Sequence, residues 1–361
     1  MSKILNKFVA LSLMTSAIFV SCSNETEKVV DSTPKTVGLT LNLPKMSQTK
    51  QLGPQTLQNQ KVTVSGPVIV KALSTEGGAV LNTYTLDASK FFGNDGTPIT
   101  MPLEVNGTAT YITFEGNIDN ETKTGDVNTR QGDATSSSVR VTGGAAIVNA
   151  VCNIPVTPEM ARVEVYGSVG TNFKNITGFT INGIYLNNVK DQRNSPALNK
   201  TTNTTDPSWT AAYKVDGKKS NLYTVFASPV TEIASVSSVK QADGYNFFPQ
   251  DYAIAGLKAL AETKEDAAKY SPHIIINVNY TPKNGTEIKN KWLNVVALKN
   301  ESSYFSSFNN GAIYQLDLSS LTSIMDHINP PVTDEPDPNA ISVTVSVTVA
   351  DWLIVPVQPE V

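Results

Sequence analysis

Nine residues near the C-terminus constrain this chain most. Ile341, Val343, Val345, Val347 and Val349 alternate without a break with Ser342, Thr344, Ser346 and Thr348. A strict period of two sets every large apolar side chain on one face of an extended strand. Alone in water such a strand is an aggregation hazard, so something must cover it. Ala350 and Asp351 break the phase, and Trp352 to Val357 is then apolar on both faces. The whole segment follows residues 329–340, NPPVTDEPDPNA, whose four prolines predict a semi-rigid linker.

Strand signals dominate the rest of the chain. Val37, Leu39, Leu41 and Leu43 alternate with Gly38, Thr40 and Asn42, and Pro44 ends the pattern. Residues 45–60 are polar, without periodicity, and read as an exposed loop. Strands are predicted at Lys61 to Leu73 (interrupted at Gly66-Pro67), Val80 to Leu86, Thr108 to Phe114 and Val139 to Val141. Ala145 to Val156 reads as one long apolar strand, with Pro155 to Pro158 as a domain junction. Beyond it come Arg162 to Tyr166, Phe179 to Leu186, His273 to Tyr280, Ile288 to Leu298 and Ile313 to Leu318. Asn284-Gly285 fits a type I′ hairpin turn, and Gly77-Gly78 and Gly143-Gly144 read as turns. One helix is predicted, over Asp251 to Tyr270, where Ile254, Leu257, Leu260 and Ala261 share a face. Many short strands with Gly, Pro and Asn turns predict an all-β sandwich or barrel. A length of 361 residues suggests two such domains.

Composition narrows the function. Lys plus Arg number 28 against 32 Asp plus Glu, a formal net charge of -4, which argues against a nucleic-acid partner. His273 and His327 are the only imidazoles, and Cys22 and Cys152 the only thiols. No conventional zinc site or disulfide framework can be built from them, and no cofactor is expected. Asn117, Asp119 and Glu121 fail the EF-hand calcium pattern, because Thr122 stands for the required Gly and Asn128 for the closing Glu. No nucleophile signature accompanies His327, and the acids of the predicted helix lie among Lys264 and Lys269 on a solvated face. The chain reads as a non-enzyme.

The N-terminus reads as an address. Lys3 and Lys7 precede Phe8 to Val20, thirteen mostly apolar residues, too few to span a bilayer. The stretch ends at Phe19-Val20-Ser21-Cys22, which resembles a bacterial lipobox with Phe19 where Leu is commoner. Cys22 would then carry lipid (diacylglycerol and palmitate) as the new N-terminus; ordinary signal cleavage, with Cys22 incidental, is the other reading. Cys152 lies in an apolar run and reads as a buried, inert thiol.

Lipoprotein signal, two-domain all-β body and detached C-terminal double strand together resemble the fimbrillins of Bacteroidales, the type V pilins. Similar segments run through the chain: Ala161 to Val165, Phe179 to Asn188, Tyr245 to Pro249, His273 to Tyr280, Asn309 to Tyr314, and Val345 to Val355 around Trp352. The resemblance implies two transthyretin-like antiparallel β-sandwiches, one short helix in the second, and C-terminal extension strands. The expected organisation is signal 1–21, tether and removable first strand 22–50, sandwiches 51–157 and 158–328, linker 329–340 and donor strands 341–361. It further implies an outer-membrane lipoprotein precursor that a trypsin-like protease cuts in the loop after the first strand. Loss of Val37, Leu39, Leu41 and Leu43 would open a groove for a strand of the next subunit, building an open, head-to-tail filament. Candidate donor residues are Ile341, Val343, Val345, Val347 and Val349, or Trp352 and Ile354. The partners implied are other copies or related fimbrial subunits, the protease, and a host or bacterial surface receptor for adhesion.

The cleavage site departs from the family, whose best-known members are cut after Arg. Here the first Arg is Arg130, and the loop offers Lys45, Lys50 and Lys61. A cut between Lys50 and Gln51 fits best, with Lys45 as the alternative. An uncut chain keeping its lipid would be an anchor rather than a stalk subunit. A monomeric surface lipoprotein that binds glycan is the other reading. A stalk subunit is expected to hold out its tail, or to keep it packed on itself until cleavage; a monomeric binder is expected to fold the tail back and to cluster exposed aromatics.

Overall fold

The computed structural model describes residues 33–43, 61–64, 66–93, 97–117, 139–188, 223–226, 232–233, 243–247, 260–261, 263–300, 303–305, 308–336, 343–351 and 353–356. These residues are nearly all β. The first half contains β1 (Lys35–Asn42), β2 (Lys61–Val64), β3 (Pro67–Leu73), β4 (Val80–Asp87), β5 (Met101–Val105), β6 (Tyr111–Gly116), β7 (Val141–Ala146) and β8 (Val151–Pro158). Seven of them form one sheet in the order β4-β3-β6-β7-β8-β1-β5. That sheet folds over at β8, whose Val151 to Pro155 pair with β1 while Val156 to Pro158 pair with β7. The two faces enclose a core of alternating inward residues, among them Val68, Val70, Ile112, Phe114, Ile154 and Val156. A 3-10 turn, Ala88–Phe91, caps one end and sets Phe91 edge-on against Phe114 with centroids 5.9 Å apart.

Glu159 and Met160 lead from β8 into the second half. It contains β9 (Ala161–Ser168), β10 (Ile176–Asn187), β11 (Tyr223–Phe226), β12 (Glu232–Ile233), β13 (Asp243–Phe247), β14 (Leu260–Ala261), β15 (His273–Pro282), β16 (Ile288–Asn300), β17 (Ser303–Phe305) and β18 (Ala312–Asp317). Three tail strands follow: β19 (Val343–Ser346), β20 (Thr348–Asp351) and β21 (Leu353–Pro356). One sheet runs β11-β10-β15-β16-β17-β14, and a second carries β12 and β13 beside β9, then β18 and β20. Short helices occupy Lys264–Tyr270 and Ser320–Met325, the latter unmarked in the sequence pattern.

Four expectations are corrected. Ala145 to Val156 is two strands, because Asn149 and Ala150 take positive φ of 51° and 59° and close a two-residue hairpin between Val148 and Val151. Asn284-Gly285 makes no type I′ turn: neither residue has positive φ, and the Gly285 amide simply closes a turn on the Pro282 carbonyl at 3.1 Å. Gly143 and Gly144 lie inside β7, not in a turn; a Cβ on Gly143 would stand 2.3 Å from the Pro155 carbonyl oxygen. The helix predicted from Asp251 is helical only over Lys264–Tyr270, since Leu260 and Ala261 pair as strand with Phe305 and Tyr304; residues 251–259 lie outside the described residues. A short apolar stretch fits both periods, and tertiary pairing decided it.

Candidate functional site

The first strand is built into its sheet next to the edge strand, with a partner on each side. β1 pairs in parallel with β8 from Gly38 opposite Val151 to Asn42 opposite Pro155. On its other side it pairs antiparallel with β5, from Lys35 opposite Val105 to Leu39 opposite Met101. Among the described residues β5 has no other strand partner. β1 is therefore what ties β5 to the sheet. Its alternation does what the sequence predicts: Val37, Leu39 and Leu41 are each 0% exposed, and Leu43 is half-buried against the same core. Polar contacts add to the fit. Lys35 Nζ donates to the Ala109 carbonyl at 2.7 Å, the Gly38 amide to the Ala150 carbonyl at 2.9 Å, and the Thr40 and Thr100 hydroxyls meet at 2.8 Å.

Cys152 stands opposite Leu39 and is fully buried, its thiol 3.4 Å from the Ala145 carbonyl. Burial pushes the thiol pKa up to about 11, so it stays protonated and unreactive at neutral pH.

The tail is folded back on its own chain. β19 lies parallel to β16, with Val345 opposite Leu298, and the Val347 amide donates to the Lys299 carbonyl at 2.9 Å. Val345 and Val347 are buried and Val343 half-buried. β20 adds antiparallel to β18 at the edge of the other sheet. β21 then pairs in parallel with β2, Lys61 opposite Leu353 and Val64 opposite Pro356. This is the arrangement of a tail held on its own body, not one held out. Cys22, Lys45, Lys50, Gln51, Ile341 and Trp352 lie outside the described residues. For Val349 and Ile354 the backbone alone is described.

The groups weighed for chemistry have structural work. His273 is completely buried, its Nε2 2.7 Å from the Ala268 carbonyl, and burial lowers its pKa to about 4. The exposed His327 has no acid partner in Asp326. That carboxylate accepts from the backbone amides of Asn175 and Lys174 at 2.7 and 2.9 Å, which holds its pKa below the usual range. Asn117 uses its side-chain amide on the Val139 carbonyl at 2.8 Å. Trp292 is half-buried against Tyr185. Among the described residues no group of three or more metal-ligating side chains occurs. Sequence reasoning missed β5 and the β2–β21 pairing. Pro102 obscures the first, and no local signal marks the second.

No protein-family model matches this sequence. No curated protein matches it either. Solved structures align with most of the chain at low sequence identity. A candidate cell adhesion protein from Bacteroides eggerthii is 12% identical, covers 89% of this chain and 97% of its own, and superposes with a TM-score of 0.43. The tip fimbrial protein Mfa3 from Porphyromonas gingivalis is 10% identical over 88% of this chain and 100% of its own, with a TM-score of 0.38. The fimbrial anchor protein Mfa2 from the same organism is 10% identical over 78% and 91%, with a TM-score of 0.28. With TM-scores below 0.5, the case for function rests on β1 and the tail.

Proposed function

We propose that the chain is the precursor of a structural subunit of a cell-surface fimbrium, assembled by exchange of β1 for a strand of another copy and supporting adhesion. The observation that carries this is β1 itself: a core strand that, among the described residues, alone joins β5 to its sheet and is followed by a polar connection with lysines. A cut between Lys50 and Gln51, or after Lys45, would leave β1 held by non-covalent contacts only. Its three fully buried side chains correspond to roughly 5–9 kcal/mol of apolar burial before ordering costs. Together with main-chain pairing to β8 and β5, that burial is what would hold β1 in the precursor and favour refilling of the empty groove.

The tail supplies a replacement. The four inward positions from Val37 to Leu43, three in β1 and one just after it, need seven residues of unbroken alternation, and Ile341 to Val349 offers nine. Trp352 to Val357 is shorter and contains Pro356, so Ile341 to Val349 is the better donor. Main-chain pairing with β8 and β5 would give affinity, and the pockets of Val37, Leu39 and Leu41 would give register. Donation to the next copy is head-to-tail and builds an open filament. On this reading Cys22 carries the lipid that brings the precursor to the outer membrane.

Limited trypsin digestion of the purified chain tests the reading. A new N-terminus at Gln51 with a boiling-resistant ladder on a gel is expected. An uncut monomer contradicts it and favours a lipid-retaining anchor or a monomeric surface lipoprotein that binds glycan. The folded-back tail also suits that monomeric reading, which then requires glycan binding by the intact chain.

A further inference from the structure

We infer that Asn82 and Tyr84 of β4 latch β5 in place from the side away from β1, so that the groove keeps both of its walls when β1 leaves. The inference rests on the strand-exchange reading above and adds the residues that keep the acceptor open. By strand pairing, β5 hangs on β1 alone among the described residues. β4 and β5 are the two ends of the seven-stranded sheet. Among the described residues no strand pairing joins these two edges, yet they touch. The Tyr84 hydroxyl donates to the Glu104 carbonyl, and the Asn106 amide donates to Asn82 Oδ1 at 2.8 Å.

The register of β4 aims both residues. Asn82 stands opposite Ala72 and Tyr84 opposite Val70, two fully buried residues of β3. Cross-strand partners share a face of the sheet, so both side chains point inward, and the Tyr84 ring packs against the core. Asn106 is preset to meet its partner. Its side-chain oxygen accepts from the Thr108 amide at 2.9 Å, and its carbonyl from the Ala109 amide at 2.9 Å, which fixes the turn after β5. Ahead of β5, the Ile99 amide donates to the Phe91 carbonyl at 2.8 Å. None of these hydrogen bonds involves β1.

The two walls are staggered, which makes β5 indispensable. β5 pairs with Lys35 to Leu39 and β8 with Gly38 to Asn42, so only Gly38 and Leu39 are held from both sides. Without β5 in place, an incoming strand would find main-chain partners for only one half of the length that β1 occupied. Holding β5 in advance spares that strand the entropy of ordering it on arrival.

Two readouts test this on the full chain carrying a sequence-specific protease site within residues 45–60. After cutting and dilution, the β5 amides bonded to β1 are expected to exchange faster, while the Asn106 amide keeps its protection. An Asn106 amide that opens together with them overturns the latch. The second readout is the affinity of the cut protein, at low concentration, for a labelled peptide of residues 33–43. Asn82→Ala with Tyr84→Phe is expected to weaken uptake at least about tenfold. Asn82→Asp with Tyr84→Phe, which keeps the accepting oxygen, is expected to recover part of that loss, and no recovery overturns the role given to Asn82. Equal affinity in wild type and the Asn82→Ala, Tyr84→Phe variant overturns the latch while leaving strand exchange intact. Retained Asn106 protection with no uptake of the peptide by the wild type supports the latch and overturns the strand-exchange reading.

Discussion

Leu39 of β1 lies directly opposite Cys152 of β8 in a parallel pairing, and neither side chain reaches solvent. The core of the first half is therefore completed by a strand whose covalent link to the next one, β2, runs through a polar connection. Leu39→Ala is expected to destabilise the intact chain by about 2–5 kcal/mol, the cost of lost burial plus a cavity. Chemical denaturation checks this; a change below about 1 kcal/mol would mean that β1 is not part of the cooperative core.

The second half of the chain buries a polar cluster. Arg162 Nε donates to Glu164 Oε1 at 2.8 Å, Arg162 also reaches Asn246 at 3.1 Å, and Gln315 donates to Glu164 Oε2 at 3.0 Å, all four residues being buried. Removing the Glu164 charge takes a buried carboxylate away from Arg162 Nε. Glu164→Gln is expected to cost about 3–5 kcal/mol, and the double variant Arg162→Met with Glu164→Met to recover most of that loss. Equal losses in both variants, by urea denaturation, would contradict the assignment.

Acid should weaken the fold through His273. Its folded pKa of about 4 lies below the ordinary 6.5, so the unfolded chain takes up the proton first as pH falls. The stability from burying a neutral imidazole is complete above pH 6.5 and is lost progressively down to about pH 4. At pH 4.5 the loss amounts to about 2–3 kcal/mol. Denaturation midpoints of the wild type and of His273→Gln, compared at pH 7 and 4.5, check this; the variant should lose the smaller amount.

Gly143 is predicted to reject any side chain. Its missing Cβ leaves room for the Pro155 carbonyl, 2.3 Å from where that atom would be, so β7 and β8 could not keep their register. Gly143→Ala is expected to cost at least about 2 kcal/mol. A thermal melt within a degree of wild type would contradict the packing.

Much of this was legible in local pattern, and the misses share a cause. The inward set Val37, Leu39, Leu41 follows from a period of two, whereas β9, β15 and β18, buried on both faces, were legible as short strand-forming runs. Gly143-Gly144 reads as a turn because sequence carries no information on the carbonyl of β8 that needs the space. Asn149-Ala150 is hidden in an apolar run although it makes the turn that Asn284-Gly285 only advertises. β5 is short and contains Pro102, so it exists as a strand through β1. The β2–β21 pair joins residues almost three hundred positions apart, beyond any local signal.

The central claim is that β1 leaves and another copy's strand takes its place, and Cys152 reports on both steps. In a Cys22→Ser chain it is the only thiol. The measurement is its alkylation rate in the intact protein, in the cut protein freed of β1, and in the isolated ladder. The account predicts slow labelling, then fast, then slow again. A thiol that stays protected when β1 is gone, or labels as fast in the ladder as in the emptied monomer, would contradict it.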